Sequence, residues 1–287
     1  MLQRIIILTR IAISLSIVQK GYPMVLNGSV ALITGAGNGI GQAVARHLAS
    51  KGVHLVLVDR VEADAQKTAE SVSPMGIKAL AIGADVTSEA DTARFIEAGL
   101  KAFGKLNMAI ACAGVIRDGL MLSPDKATGK IGKKLGLDKW QQVIDVNLTG
   151  TFLTLRDAAE AMANGGWPGL LVTISSVNKV GQVGQLNYSS SKAACALMPK
   201  IMVGEFHMRG IRNIRAVGIA PGYTATPMLT GMNQDALASI LKDVHLSRLI
   251  EPTEIASLIE HCAVNEAINA TTLEITGGLC YAGAIAK

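Results

Sequence analysis

Tyr188-Ser-Ser-Ser-Lys192 sets a phenol and an ammonium four residues apart. On a helix, residues at that spacing share a face. A lysine ammonium beside a phenol favours the phenolate, which makes a tyrosine a usable proton carrier near neutral pH. Many solvated helix faces carry the same pair, so the pair alone decides little. Two further features give it chemistry. Ser175-Ser176 lies twelve to thirteen residues upstream, and Asn147 lies in the helical stretch before that. A serine at a strand end can face the tyrosine across a cleft. The candidates for catalysis are Asn147, Ser176, Tyr188 and Lys192.

A second cluster, Thr34-Gly-Ala-Gly-Asn-Gly-Ile-Gly41, follows an apolar run and opens a helical pattern. Glycine is needed where φ is positive or where backbone must approach a ligand. A helix starting there offers unpaired N–H groups and a positive dipole end to a pyrophosphate. Gly35, Asn38, Gly39 and Ile40 are the candidates for that cradle. Asp59 ends the next apolar run, at the offset where a carboxylate accepts hydrogen bonds from both hydroxyls of an adenosine ribose. It would repel a 2′-phosphate, and the turn has no Arg or Lys to hold one. Arg60 is the one adjacent cation. The expected cofactor is NAD(H), with NADP(H) the less favoured, and no metal is expected.

These residues need elements to position them. Short β-branched runs read as buried strands at Val30–Thr34, Val53–Val58, Ala79–Ile82, Met108–Ala111, Leu170–Ile174 and Ala216–Ile219. Helical patterns separate them at Ile40–Ser50, Glu62–Ser71, Ser88–Phe103, Lys139–Ala163 and Ser189–Met208. Strand–helix alternation implies an α/β fold: a doubly wound, Rossmann-type parallel sheet with helices on both faces, in a single domain. Ligands of such sheets bind at the carboxyl ends of the strands, where the candidates fall. Residues 115–138, rich in Gly and Lys, read as a long loop. Residues 222–250 read as a second, with an amphipathic piece near Ala236–Leu246. Met228, Leu229, Met232 and Leu237 in that stretch suggest a lid over an apolar ligand.

Composition sets the outer bounds. Of 287 residues, 49% are hydrophobic and 17% charged, which excludes a disordered chain. The four cysteines, 112, 195, 262 and 280, have no C-x-x-C or paired spacing, which argues against a disulfide scaffold or zinc site. The net charge of +5 falls to +2 without Arg4, Arg10 and Lys20, and aromatics are 3% of the chain, so no nucleic-acid partner is expected. Residues 1–23 are apolar, basic and free of Asp and Glu. Arg4 and Arg10 break them into runs too short for a stable membrane span. They read as an extension or targeting segment before a domain over 24–287. The expected location is cytoplasmic, or mitochondrial if the segment is a presequence.

Taken together and in order, the motifs resemble the short-chain dehydrogenase/reductase family, from about Leu26 to the C-terminus. They are Thr34-Gly-x-x-x-Gly-Ile-Gly41, Asp85-Val86, Asn147, Ser176, Tyr188-x-x-x-Lys192 and Pro221-Gly222. Ile-Ser-Ser-Val, Gly-Gln-x-Asn-Tyr-Ser and Ala-Pro-Gly-Tyr are most similar to its 3-oxoacyl-carrier-protein reductase-like members. The resemblance implies that Tyr188 carries the substrate proton and Lys192 binds the nicotinamide ribose. It further implies that Ser176 bonds the carbonyl oxygen and that Asn147 holds a water linking Lys192 to solvent. Asp85 and Val86 become the adenine contacts. Backbone of Ala113 and Gly114 lines the cofactor, and Pro221, Gly222, Thr224 and Thr226 hold the carboxamide. The substrate becomes a hydrophobic secondary alcohol or ketone, or an acyl thioester of the 3-hydroxyacyl/3-oxoacyl type. Helices 139–163 and 189–208, with Val143, Leu148, Phe152, Leu155, Ala194, Leu197 and Ile201, become a homodimer or homotetramer interface.

The chain departs from the family twice. Ala111-Cys112-Ala113-Gly114 replaces Asn-Asn-Ala-Gly, which puts a small, weakly hydrogen-bonding side chain beside the cofactor. The Ser176–Tyr188 gap is one residue short, and Ser175 would restore it. Ser176 is preferred because it matches the Ser-Ser-Val context and the following loop absorbs a deletion. Two alternatives remain: an NADPH-dependent 3-oxoacyl-carrier-protein reductase, and a non-catalytic dinucleotide-binding scaffold on the same fold.

Overall fold

The computed structural model describes residues 24–280, apart from Met232 and the side chains of Met228, Gln234 and Ala236. The reading of residues 1–23 as a separate segment lies outside the described residues, as do Met232 and the Met228 side chain in the expected lid.

Among the described residues, nine strands and nine α-helices follow one another. They are β1 (Val30–Thr34), α1 (Gly39–Ala49), β2 (His54–Asp59), α2 (Glu62–Val72), β3 (Ala79–Gly83), α3 (Glu89–Phe103) and β4 (Met108–Ala111). A hairpin, β5 (Leu122–Pro124) and β6 (Ile131–Lys134), precedes α4 (Leu137–Ile144), a π-helical turn at Asp145–Thr149 and α5 (Gly150–Gly165). Then come β7 (Gly169–Ile174), α6 (Leu186–Met208), β8 (Ile214–Pro221), α7 (Pro227–Thr230), α8 (Gln234–Leu241), α9 (Pro252–Val264) and β9 (Thr271–Ile275).

Seven strands form one parallel sheet in the order β3-β2-β1-β4-β7-β8-β9. The central strands carry continuous apolar runs because both faces are covered. Ala31, Ile33, Leu55 and Leu57 pack into the core on one side with Val44, Leu48, Ile255 and Ile259. Val30, Leu32, Val56 and Val58 pack on the other with Phe95, Leu155 and Met162. Strand order reverses between β1 and β4, and the crevice at their carboxyl ends is where such sheets hold ligands.

Four differences from the sequence expectations concern elements rather than architecture. The sheet has a seventh strand, β9, and α9 precedes it. Thr271–Ile275 is only partly buried because β9 is an edge strand, so it lacks the apolar signature of the interior strands. The stretch 139–163 is not one helix; the π turn splits it. Residues 115–138 are not wholly loop. Asp125 accepts from the Ala127 and Thr128 amides and Gly129 has φ +67°, which closes a short hairpin. The amphipathic piece near 236–246 is helical only to Leu241.

Candidate active site

The glycine-rich turn is shaped by close backbone approach. Gly35 has φ +63°, and a Cβ there would stand 2.9 Å from the Ala113 nitrogen. A Cβ on Gly41 would stand 2.2 Å from the Gly35 carbonyl oxygen, so no side chain fits where α1 crosses the turn. Asn38 is the extended residue before α1. It makes no side-chain cap, and the first turn of α1 holds no acid. The amides at Gly39, Ile40 and Gly41 therefore keep their donors and the positive helix end for an anion. That is the donor set a pyrophosphate requires, so these residues fit a dinucleotide.

Asp59, at the end of β2, turns its carboxylate onto this cradle. Its Oδ2 accepts from the Gly37 amide at 2.9 Å and its Oδ1 from the Val61 amide at 3.1 Å. Arg60 is exposed. Beyond β3, Asp85 is exposed and accepts from the Thr87 amide and hydroxyl, while Val86 is buried. The Asp85 amide donates to Asp91, which with Arg94 holds the Asp91 carboxyl below its ordinary range.

Thr34 links the turn to β4, its Oγ1 accepting from the Ala113 amide at 3.2 Å. Gly114 lies beside the catalytic candidates: a Cβ there would be 3.4 Å from Asn147 Oδ1 and 3.7 Å from Lys192 Nζ. Cys112 is half-buried and packs on the core. Burial pushes its thiol up to about 12, against the opposing pull of the Lys192 ammonium. The segment after β8 bridges back to the cradle. The Gly222 amide donates to Ile275, Thr224 Oγ1 to Gly222, and the Ala225 amide to Ile250. Thr226 then lies over Gly39, where an added Cβ would stand 3.4 Å from its Cγ2. Pro221, Gly222, Thr224 and Thr226 thus span from the sheet end to the start of α1. Leu229 and Leu237, further along, are half-buried.

The four catalytic candidates converge at the ends of β4 and β7. Lys192 is 6% exposed, and its Nζ donates to the Ile174 carbonyl at 2.8 Å, 5.6 Å from the Tyr188 ring centre. Its stem is therefore fixed between the sheet and α6. Tyr188 is half-buried in the first turn of α6. The two serines after β7 differ in their bonds. Ser175 Oγ donates to the Lys192 carbonyl at 2.6 Å and is buried there. Ser176 Oγ accepts from the Asn178 amide at 3.1 Å, which leaves its own proton free to serve another acceptor.

Asn147 is fully buried within the π turn. Its side chain accepts from the Val115 amide at 2.8 Å and donates to the Val115 carbonyl and to Ser191 Oγ. Its carbonyl accepts from Thr151 Oγ1 and from Cys195 Sγ. Sequence reasoning missed Asn187, which is fully buried beside Tyr188. Asn187 accepts from the Tyr188 amide and donates to the carbonyls of Arg117 and Lys139. It sat inside the quoted Asn-Tyr-Ser motif, but nothing in a linear sequence shows that one amide holds both ends of a distant loop. A relay of Asp118, Gln185 and Asn178 side chains beside it was likewise unreadable.

A dinucleotide cradle, a strand-end serine and a tyrosine–lysine pair on one parallel sheet define a nicotinamide-dependent oxidoreductase of the doubly wound class. The comparisons agree in detail. The family model described as short chain dehydrogenase matches residues 29–237. The chain is 35% identical over 266 residues to a human (3R)-3-hydroxyacyl-CoA dehydrogenase, covering 88% of this chain and 96% of that one. It is 32% identical over 259 residues to a 3-oxoacyl-[acyl-carrier-protein] reductase of Synechocystis, covering 88% and 98%. A solved short-chain type dehydrogenase/reductase from Mycobacterium marinum superposes with a TM-score of 0.79 at 28% identity, over 88% of this chain and 96% of that one. The chain belongs to the short-chain dehydrogenase family, whose members bind NAD(P) and act on CH–OH groups. No described helix is long and apolar enough to cross a membrane.

Proposed function

We propose that this chain interconverts 3-hydroxyacyl and 3-oxoacyl thioesters with NAD(H) in preference to NADP(H). The observation that carries the reaction is the placement of Lys192, buried between the Ile174 carbonyl and the Tyr188 ring. The names of the relatives support the thioester class.

The bound nicotinamide would supply or accept the hydride. Tyr188 gives its hydroxyl proton to the substrate oxygen during reduction and takes it back during oxidation, so that oxygen never carries a full unpaired charge. Ser176 donates its free proton to the same oxygen. Lys192 keeps a positive charge beside the phenol and reaches the nicotinamide ribose. Both lone pairs of the Asn147 carbonyl are already engaged, so Asn147 is assigned a positioning role first: its side chain fixes Val115 and the chain next to Lys192. Gly35, Asn38, Gly39 and Ile40 cradle the pyrophosphate, Asp59 takes the adenosine ribose, and Asp85 and Val86 flank the adenine. Ala113 and Gly114 line the middle of the cofactor, with Pro221, Gly222, Thr224 and Thr226 over the carboxamide.

The NAD preference rests on Asp59, whose carboxylate is bonded to the Gly37 amide of the cradle. A 2′-phosphate there would meet a like charge. Exposed Phe152 on α5 and Leu197 and Ile201 on α6 support a homodimer or homotetramer through those helices. Initial rates with NADH and NADPH on a 3-oxoacyl thioester test the reading. Higher kcat/KM with NADPH would overturn the cofactor assignment, and absence of turnover with either would overturn the reaction.

A further inference from the structure

We propose that the β5–β6 hairpin is a docking ribbon for the phosphorylated nucleotide handle of an acyl-CoA substrate; this rests on the thioester reading above. Its thirteen residues, 122–134, contain Lys126, Lys130, Lys133 and Lys134 against one acid, Asp125. All four lysines are exposed. Among the described residues, none of them forms an ion pair with a carboxylate. Asp125 is committed to its own turn, where the Thr128 amide and hydroxyl and the Ala127 amide hold its carboxyl below the ordinary range. A chain of net charge +5 thus carries +3 on one small ribbon. Leu122 and Ile131 lie exposed between the charges, 45% and 52%, and give apolar surface for a pantetheine arm.

The ribbon is tied to the reactive tyrosine. The Leu135 amide closes its base on the Met121 carbonyl, and the Gly119 amide donates to Gly184. Asn187 binds the carbonyls of Arg117 and Lys139, on the two sides of the hairpin, and the amide of Tyr188. The segment that carries the ribbon is therefore anchored at both ends beside Tyr188.

Size and composition select the occupant. Strands of three and four residues at ~3.3 Å each give a face on the order of 13 Å long and two strands wide. That is far below the ~800 Å² per partner of a stable protein interface, and it suits a nucleotide carrying phosphates. Residues 115–136 contain no aromatic side chain on which nucleic-acid bases could stack.

The test compares one 3-oxoacyl group carried on coenzyme A with the same group on N-acetylcysteamine, which lacks the nucleotide. The enzyme is wild type, a combined Lys126→Ser, Lys130→Ser, Lys133→Ser, Lys134→Ser variant, and a single Lys133→Glu variant. The expected result is a rise of about tenfold in KM for the CoA thioester in the combined variant, and a smaller rise in Lys133→Glu. Values for the truncated thioester and kcat should stay level. In wild type, added salt should erase the advantage of the CoA thioester, since exposed charges are screened. With NADH saturating, 3′,5′-adenosine bisphosphate should inhibit wild type competitively against the CoA thioester and lose that inhibition in the combined variant. Equal changes on both thioesters, or none, would overturn the docking ribbon. So would a carrier-protein thioester that suffers more than the CoA thioester, which would assign the lysines to an acidic protein. Wild type that turns over neither thioester removes the function and the ribbon together, whereas good turnover of both without preference for CoA removes the ribbon alone.

Discussion

Alanine at Ser175 and alanine at Ser176 should cost similar stability but differ widely in rate, although the two hydroxyls are neighbours. Ser175 Oγ donates to the Lys192 carbonyl at 2.6 Å in a buried setting. Its removal deletes one internal hydrogen bond, a net loss of about 1 kcal/mol. In a domain of this size that lowers the melting temperature by roughly 2–4 °C. The reacting atoms are untouched, so kcat should stay within severalfold. Ser176 Oγ accepts from the Asn178 amide, so Ser176→Ala also loses a cap worth about 1 kcal/mol. Stability therefore falls by similar amounts in both variants. The rate separates them, because Ser176 alone has a free proton for the substrate oxygen. Loss of one donor to a developing oxyanion costs ~10²–10³ in kcat. Thermal melts and NADH oxidation on a 3-oxoacyl thioester, run on the same preparations, read both quantities. A hundredfold loss in Ser175→Ala with near-normal Ser176→Ala would show that the family spacing is kept and that the site is displaced by one residue.

Other substitutions probe the remaining assignments. Tyr188→Phe keeps the ring and removes the proton carrier; kcat should fall at least ~10²-fold while NADH binding, followed by fluorescence titration, changes little. Asp59→Ser should raise kcat/KM for NADPH relative to NADH, and an unchanged ratio would remove Asp59 from cofactor choice. Cys112, with its thiol pushed up to about 12, should resist iodoacetamide at pH 8 while exposed Cys280 reacts, as peptide mass spectrometry would show. Arg248 and the Glu251 amide hold Glu254 down to about 2 at the start of α9. Because the folded value is depressed, the stabilisation is complete above the ordinary carboxylate range and fades as pH falls from there through about 2. The pair is exposed, so the loss relative to Glu254→Gln in acid denaturation should stay below about 1 kcal/mol.

The parallel sheet was legible because its interior strands carry unbroken apolar runs, as Val30 to Ile33 and Leu55 to Val58 show. The site residues were legible because cofactor chemistry requires glycine and a carboxylate at strand ends and a tyrosine–lysine pair one helical turn apart. Strand β9 escaped because an edge strand needs less apolar surface. The break in 139–163 escaped because Val143 and Leu148 continue the apolar spacing through the π turn, and a single glycine at its end, Gly150, is tolerated inside a helical pattern. The hairpin escaped because strands of three and four exposed residues carry no periodicity to read. Asn187 escaped because its bonds reach residues 70 and 48 positions away.

The π turn at Asp145–Thr149 has a geometric consequence. It holds one residue more than the α-helical turn it replaces, and successive residues of a helix differ by ~100° in direction. Forced into a regular α-helical turn with all five residues kept, the chain would swing all of α5 by that angle. Leu153, Leu155, Ala158 and Met162 would leave the core together, and Asn147 would lose its register with Val115 and Ser191. No single substitution compensates for such a rotation. The extra residue therefore acts as a wedge: the chain can vary its sequence around the wide turn, but the turn cannot tighten to α-helical geometry while all five residues remain.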